Sequence, residues 1–208
     1  VLYNLIGSTL FLFALGSIYA ETGTLNMADL AQRVAQIDAA ETAGIRVAAV
    51  LLILVFAIKA ALVPLHFWLP SAYAEAPAPV AALFAIMTKV GAYAIIRVYT
   101  LIFPPDLDVT AGLHQVWLLP AALVSLALGM IGVLAARKLD RLIAFSIVGS
   151  MGMVMVAISL FTQQSIAAAL YYMIHSTLAG AMLFLVADLV RTSRPDLALA
   201  PRPPFAGT

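Results

Sequence analysis

The chain has 208 residues, of which 64% are hydrophobic and only 10% are charged, and its formal net charge is +1 at pH 7. Soluble domains usually contain about 45–50% apolar and about 25% charged residues, so this composition excludes a soluble globular domain and a disordered chain. The small net charge provides no field that would attract nucleic acid. The absence of cysteine excludes disulfides and thiolate chemistry.

Long apolar stretches make up most of the sequence. A helix needs about 20 mainly apolar residues to span a bilayer. No segment alternates between apolar and polar residues as a transmembrane β-barrel does. The sequence therefore predicts an all-α integral membrane protein, with a bundle of about six transmembrane helices within residues 1–190. The predicted spans are residues 2–20, 45–70, 79–103, 115–135, 142–161 and 166–190.

Two segments lie outside the predicted spans. In residues 21–44, Asn26 can cap a short helix, and Asp29 and Arg33 are spaced for an ion pair on one helix face. This pattern predicts a short amphipathic helix on the outer membrane surface. Residues 191–208 are rich in proline and predict an unstructured cytoplasmic tail.

Positive charges are distributed unequally between the two sides of the predicted bundle. Arg137, Lys138 and Arg141 follow the fourth span, and three more arginines follow the sixth, whereas the other side carries only Arg33 and Arg46. Because loops rich in lysine and arginine stay in the cytoplasm, both ends of this segment are predicted to be cytoplasmic. The first span starts without an initiator methionine or a charged leader, so we expect a middle section of a longer membrane protein.

Three ionisable residues lie deep inside predicted spans: Lys59, Lys89 and His175. A lysine at the bilayer centre costs about 2.5–3.5 kcal/mol on insertion scales, and intramembrane ionisable residues usually belong to ion or proton pathways. These three residues are therefore candidates for a proton relay. The alternatives are snorkelling of the lysines to the interface and a plain interhelical hydrogen bond for His175.

Pro64 lies within the second predicted span, five residues after Lys59. A proline inside a helix removes the hydrogen bond to the carbonyl four residues earlier, here Ala60, and kinks or breaks the helix. Interrupted helices beside ionisable groups mark ion pathways in transporters. We therefore expect a helix broken at Pro64, with an ordinary proline kink as the alternative.

Four further polar residues are candidates for accessory roles. His66 and Glu75 flank a predicted membrane boundary, where they either admit protons or simply face water. Ser150 and Tyr172 either hold water or form interhelical hydrogen bonds. The three histidines are far apart, and no catalytic constellation, metal site or cofactor site is predicted.

Several runs of this sequence resemble one membrane protein family, the antiporter-like proton-translocating subunits. The family includes the large membrane subunits of respiratory complex I and the A and D subunits of multisubunit cation/proton antiporters. Its core signature is similar to KAALVPLHFWLPSAYAEAPAPVAALFAIMTKVGAYAIIRV, residues 59–98. The next two family blocks resemble residues 137–152 and 171–190. TGTLNMADLA, residues 22–31, and the IHST sequence around His175 favour the D subunit of the antiporters.

The resemblance implies a lateral proton relay along the membrane midplane. Lys59 matches the lysine of the family's discontinuous helix, Lys89 the lysine of the following helix, and His175 a central histidine. Ser150 stands where several relatives have a histidine, which is a departure from the family pattern. The family relay also uses a glutamate on an earlier helix and an ionisable residue on a second broken helix. Family members contain a pair of inverted repeats, and the two further relay segments lie outside these 208 residues.

The function implied by the resemblance is that of one component of a secondary transporter, not an enzyme. It would move H⁺ in exchange for Na⁺ or K⁺ in a bacterial plasma membrane, with the other subunits of an antiporter complex as partners. The alternative is a proton-pumping membrane subunit of NADH:quinone oxidoreductase or a related respiratory complex. A scaffold with structurally satisfied lysines and a channel that works alone are two further hypotheses.

Overall fold

The structure is a computed structural model that describes residues 2–37, 43–107 and 114–193, without the side chains of His114 and Gln115. Over these ranges the chain forms helices and no β-strand, so the predicted all-α membrane architecture is confirmed. Residues 38–42 of the outer loop, and the predicted tail beyond residue 193, lie outside the described residues. A π-helical turn, His114–Leu118, leads into α6. The helices are α1 (Leu2–Thr22), α2 (Met27–Val34), α3 (Ala43–Lys59), α4 (Trp68–Glu75), α5 (Ala78–Leu101), α6 (Leu119–Ala135), α7 (Leu139–Ser159) and α8 (Gln163–Ser193).

Among the described residues, five helical segments are long and apolar enough to cross a membrane: α1, α5, α7, α8 and the segment Val116–Ala135 that contains α6. The predicted span 45–70 is not one helix, because α3 ends at Lys59 and the chain becomes helical again only at Trp68. With 17 residues, α3 is about 26 Å long at about 1.5 Å per residue, which is less than the hydrocarbon core of about 30 Å. Two short helices and the break between them therefore take the place of the second predicted span, 45–70.

The helix α7 lies at the centre of the bundle, where it contacts α4, α5, α6 and α8. Its buried residues include Ile143, Ile147, Met151 and Met155, which are four residues apart and form one continuous stripe. The first helix, α1, contacts mainly α3 and turns large apolar side chains such as Leu12 outward. The core of the bundle thus surrounds α7, and the outward apolar faces suit a lipid environment.

Glycine permits the close contact between α6 and α7. A Cβ atom on Gly129 of α6 would lie 2.3 Å from the backbone nitrogen of Gly149. A Cβ atom on Gly152 of α7 would lie 2.4 Å from the backbone nitrogen of Leu126. In lipid, helices associate through such close backbone contacts because burying apolar area supplies little driving force there. The α6–α7 pair is therefore held at a distance that only glycine allows.

The short helix α2 begins where the sequence places a cap. The side chain of Asn26 accepts a hydrogen bond from the Ala28 N–H at 3.0 Å. Arg33 and Asp29 form an ion pair at 3.0 Å, and this hydrogen-bonded contact lowers the pKa of the Asp29 carboxyl. Leu30 and Val34 are buried. The apolar face of α2 therefore lies against the protein, and the position of this helix on the outer membrane surface stays a prediction.

We expect Gly152→Ala to destabilise the protein, because its Cβ atom would force α6 and α7 apart. Overpacking of this kind costs about 1–3 kcal/mol of unfolding free energy. The matched control is Gly16→Ala in α1, where no atom lies within 4 Å of the added Cβ. Unfolding in mixed detergent micelles, followed by circular dichroism, measures both variants. Equal stability of the two variants would contradict the close α6–α7 contact.

Candidate functional site

Backbone hydrogen bonds around a left-handed residue cap the C-terminal end of α3. Ala61 has a positive φ of 53°. Its N–H donates to the carbonyl of Ile58 at 3.2 Å, and the N–H of Leu62 donates to the carbonyl of Ala57 at 3.0 Å. This pair of bonds around a left-handed residue is a Schellman C-cap, which usually has glycine at the left-handed position. The helix α3 therefore ends through its own C-cap, with alanine in place of glycine.

Pro64 lies inside the break, which runs over residues 60–67, and its side chain is exposed. The sequence predicts that Pro64 removes a helical bond to Ala60, but Ala60 already follows the last residue of α3. The break is thus present, while its expected cause is corrected. The C-cap at Ala61 ends α3 three residues before Pro64, which lies within the break.

Side chains from two other helices satisfy the backbone around the break. The N–H of Val63 donates to Ser125 Oγ at 2.8 Å, and that hydroxyl donates to the carbonyl of Ala121 at 2.7 Å. Trp68 Nε1 at the start of α4 donates to the carbonyl of Ile58 at 3.0 Å. Such partners are required because irregular backbone at membrane depth must be hydrogen-bonded within the protein or in a water-filled cavity. Ser125 is not among the residues that the sequence singles out, although it is the only hydroxyl residue of α6.

Lys59 is the last residue of α3, and its side chain is exposed. Its ammonium donates to Asn4 Oδ1 on α1 at 3.0 Å. On α5, a Cβ atom on Gly91 would lie 3.1 Å from Lys59 Cβ and 2.9 Å from the nitrogen of Ala60. The sequence places Lys59 deep inside the predicted span 45–70, whereas the structure places it at a helix end beside the break. Within residues 2–37, 43–107 and 114–193 its partner is an amide and not a carboxylate.

Lys89 lies at the middle of α5 and is only 5% exposed. Among the described residues, its ammonium has no hydrogen-bond partner. It lines a groove of about 350 Å³ between α5 and α8, whose other walls are almost entirely apolar. Ile86 and Val90 contribute from α5, and Ile174 and Leu178 from α8. An ammonium group in such surroundings is energetically costly, which favours a functional role over a structural one.

His175 lies on the same segment of α8 that lines this groove, although its own side chain is exposed. Its ring centroid is 6.4 Å from that of the half-buried Tyr172. Thr177, two residues further along, also lines the groove, and its hydroxyl donates to the carbonyl of Met173 at 2.7 Å. The structure therefore brings Lys89 and the segment around His175 to facing helices, while Lys59 lies at the end of α3, another neighbour of α5.

The four accessory candidates lie in different parts of the bundle. His66 is 7% exposed within the break, with its ring centroid 4.3 Å from that of Phe67. Glu75 is exposed at the last position of α4. His66 Nδ1 and Ser150 Oγ are buried without a partner in the described part of the chain. Buried polar atoms in that condition usually contact water or act in function. No metal-binding cluster is present among the described residues.

Residues 1–199 match a family described as "NADH:quinone oxidoreductase/Mrp antiporter, TM". The chain is 42% identical over 188 residues to the D subunit of an Na⁺/H⁺ antiporter of Bacillus subtilis, covering 90% of this chain and 37% of that protein. It is 40% identical over 191 residues to the D subunit of a probable K⁺/H⁺ antiporter of Rhizobium meliloti, covering 92% of this chain and 35% of that protein. The chain thus spans little more than a third of these relatives.

Two solved structures have a similar arrangement of helices. A chain of the Mrp complex from Dietzia sp. superposes with a TM-score of 0.81 at 31% identity, over 91% of this chain and 34% of that one. A chain of respiratory complex I from Thermus thermophilus superposes with a TM-score of 0.81 at 28% identity, over 92% of this chain and 40% of that one.

We expect Lys89→Met to stabilise the protein, because it replaces a buried ammonium by an apolar side chain of similar length. The gain in unfolding free energy should approach the insertion cost of a mid-membrane lysine, about 2.5–3.5 kcal/mol. Lys138→Met, at an exposed position before α7, is the control and should change little. Unfolding of the complete protein in detergent measures both variants. A loss of stability in Lys89→Met would mean that the ammonium has a hydrogen-bonding partner there.

Proposed function

The chain belongs to the NADH:quinone oxidoreductase/Mrp antiporter family of transmembrane proteins, and from this membership we propose that it is the proton-translocating segment of the D subunit of a cation/proton antiporter. That protein moves H⁺ in exchange for Na⁺ or K⁺. The observation that carries the proposal is Lys89, a buried lysine without a hydrogen-bonding partner among the described residues, in the middle of a helix long enough to span a membrane. A purely structural helix gains nothing from such a group, whereas a proton relay requires one.

The proposed relay runs from Lys59 through Lys89 to His175. Lys59 lies at the end of α3, and the contact at Gly91 brings that end against α5, two residues from Lys89 along the chain. Lys89 in turn faces α8 across the groove, on the segment that carries His175. The ionisable groups therefore lie on three successive neighbours in the bundle, α3, α5 and α8. Protons would cross the intervals through water, since the groups are not in mutual hydrogen-bond contact in this conformation.

The accessory candidates have proposed places around this path. His66 lies in the break itself and Glu75 at the end of α4, so both can exchange protons between the relay and the cytoplasmic side. The buried hydroxyl of Ser150 can hold a water molecule where several relatives have a histidine. Tyr172 can orient the ring of His175. We assign no metal or organic cofactor to this path.

The proposed setting is a bacterial plasma membrane, in a complex with other antiporter subunits. Both ends of this segment are proposed to be cytoplasmic. Arg191 near the end of α8 forms an ion pair with Asp140 at the start of α7, so these two helix ends lie on one side. Lys138 also lies on that side, and the excess of positive charge there supports the cytoplasmic assignment.

A proton-pumping component of a respiratory complex is the second candidate. The family description includes NADH:quinone oxidoreductase, and the complex I chain from Thermus thermophilus has a similar arrangement of helices. The antiporter is favoured because identity to the two antiporter proteins is 40–42%, compared with 28% for the complex I chain. In the second candidate the same relay would be driven by redox chemistry in other subunits.

We expect Lys59→Ala to abolish cation-dependent proton exchange by the complete protein expressed with its neighbouring subunits. The reason is that the first group of the relay would be lost. Everted vesicles from a host without its own antiporters are given an acid interior, Na⁺ or K⁺ is added, and a ΔpH-sensitive dye reports proton release. The ion that produces release in the wild type identifies the transported cation.

Lys138→Ala is the matched control, because Lys138 is an exposed lysine outside the proposed path. It should retain exchange at an equal amount of membrane protein. Full exchange by Lys59→Ala would support a scaffold function for this lysine. Absence of cation-dependent release in the wild type would reject the antiporter and favour the respiratory complex.

A further inference from the structure

We propose that Ser125 is a positioning residue for Lys59. Its hydroxyl fixes the break between α3 and α4 to α6, and the break in turn fixes the end of α3 that carries Lys59. This inference rests on the proposed function, which gives Lys59 its role in the proton relay. The attachment of the break to α6 through Ser125 can be tested by itself, without any transport measurement.

The backbone of the break shows why one serine has this effect. The N–H groups of Ala60, Ala61 and Leu62 all donate back to carbonyls of α3. Pro64 has no N–H, and the N–H of Leu65 donates to the carbonyl of Leu62 at 2.6 Å, within the break. The N–H of Val63 is the first in this run to leave the segment, and its acceptor is Ser125 Oγ at 2.8 Å, 62 residues away.

The position of Ser125 within α6 suits it to act as an anchor. The residue is fully buried, and its hydroxyl proton is already used in the 2.7 Å bond to the carbonyl of Ala121. The oxygen lone pairs therefore accept from another donor, and Val63 supplies the N–H. Ala122 and Leu126, on either side of Ser125, are the residues against which Gly152 of α7 lies. The anchor thus belongs to the tightly packed α6–α7 pair.

The link from Ser125 to Lys59 is short. Val63 follows Lys59 by four residues, and the intervening residues form the C-cap of α3. The same stretch lies against Gly91 of α5, where the nitrogen of Ala60 and Cβ of Lys59 leave no room for a side chain. Without an acceptor for the Val63 N–H, the break has to move to reach water or another acceptor, because a buried unbonded N–H is costly. That movement changes the surroundings of the Lys59 ammonium.

The first test compares Ser125→Ala with Ser159→Ala in the complete antiporter. Ser159 is also buried, at 1% exposure, but its hydroxyl donates only to the carbonyl of Val156 in its own helix. We expect Ser125→Ala to lower the initial rate of exchange about tenfold at equal membrane protein. We also expect a displacement of the pH optimum by about half a unit or more, because a changed environment alters the proton affinity of an ionisable group. Ser159→Ala should change neither quantity.

A lower rate with an unchanged pH profile would overturn the proposal, because general loss of stability would then explain it. Normal exchange by Ser125→Ala would overturn it as well. Ser125→Cys is the second variant, since sulfur is a weaker acceptor of similar size. If Ser125→Ala is absent from the membrane, the cysteine variant carries the test, and it should show a smaller change of the same kind.

The second test does not depend on transport. This chain contains no cysteine, so Leu65→Cys, in a complete protein freed of any other cysteines, reports on the break through its rate of reaction with a membrane-permeant maleimide. Adding Ser125→Ala should raise that rate severalfold, and adding Ser159→Ala should not. An unchanged rate would overturn the anchoring role. If the rate rises while the wild type shows no cation-dependent exchange, the anchor stands and the proposed antiporter function fails.

Discussion

The rest of the structure depends on the need to hydrogen-bond the backbone of a broken helix inside an apolar layer. A continuous helix satisfies its own amides, whereas a break within the membrane must obtain partners from its surroundings. Here carbonyls of α3 accept from three amides of the break, Ser125 of α6 accepts from a fourth, and Trp68 of α4 donates to a carbonyl near the end of α3. Hydrogen bonds at the eight-residue segment 60–67 therefore link the end of α3 to α4 and α6.

The break also explains why two lysines of the same chain have different environments. Lys59 extends from a helix end and reaches the amide of Asn4, so its charge has a polar partner. Lys89 lies within an unbroken helix, where the backbone has no polar group to offer, and its ammonium is buried without a hydrogen-bond partner among the described residues. Gly91 keeps the two sites on adjacent helices.

Part of the candidate site follows from the sequence, and part does not. Lys89 is found from its depth in an apolar stretch, and its burial agrees with that prediction. Pro64 correctly indicates that the span is broken, but the helix ends earlier, at a left-handed alanine that carries no sequence signal because glycine usually occupies that position. Ser125 was missed since a lone hydroxyl in an apolar helix more often bonds to its own backbone. Here it does so and accepts a second bond from the break.

The sequence by itself determined the class of the protein, the approximate spans and the local features of α2. Apolar length is enough for the first two, because stretches of about 20 mainly apolar residues form membrane-spanning helices. Caps and pairs four residues apart, such as Asn26 and Asp29–Arg33, depend only on nearby residues. The tertiary structure alone decided that Lys59 reaches Asn4, 55 residues away, and that Val63 reaches Ser125, 62 residues away. Such contacts depend on which helix faces pack together, and the physical reason is that local propensity acts only between residues near in sequence. At the α6–α7 and α3–α5 interfaces, glycines set how closely the helices approach.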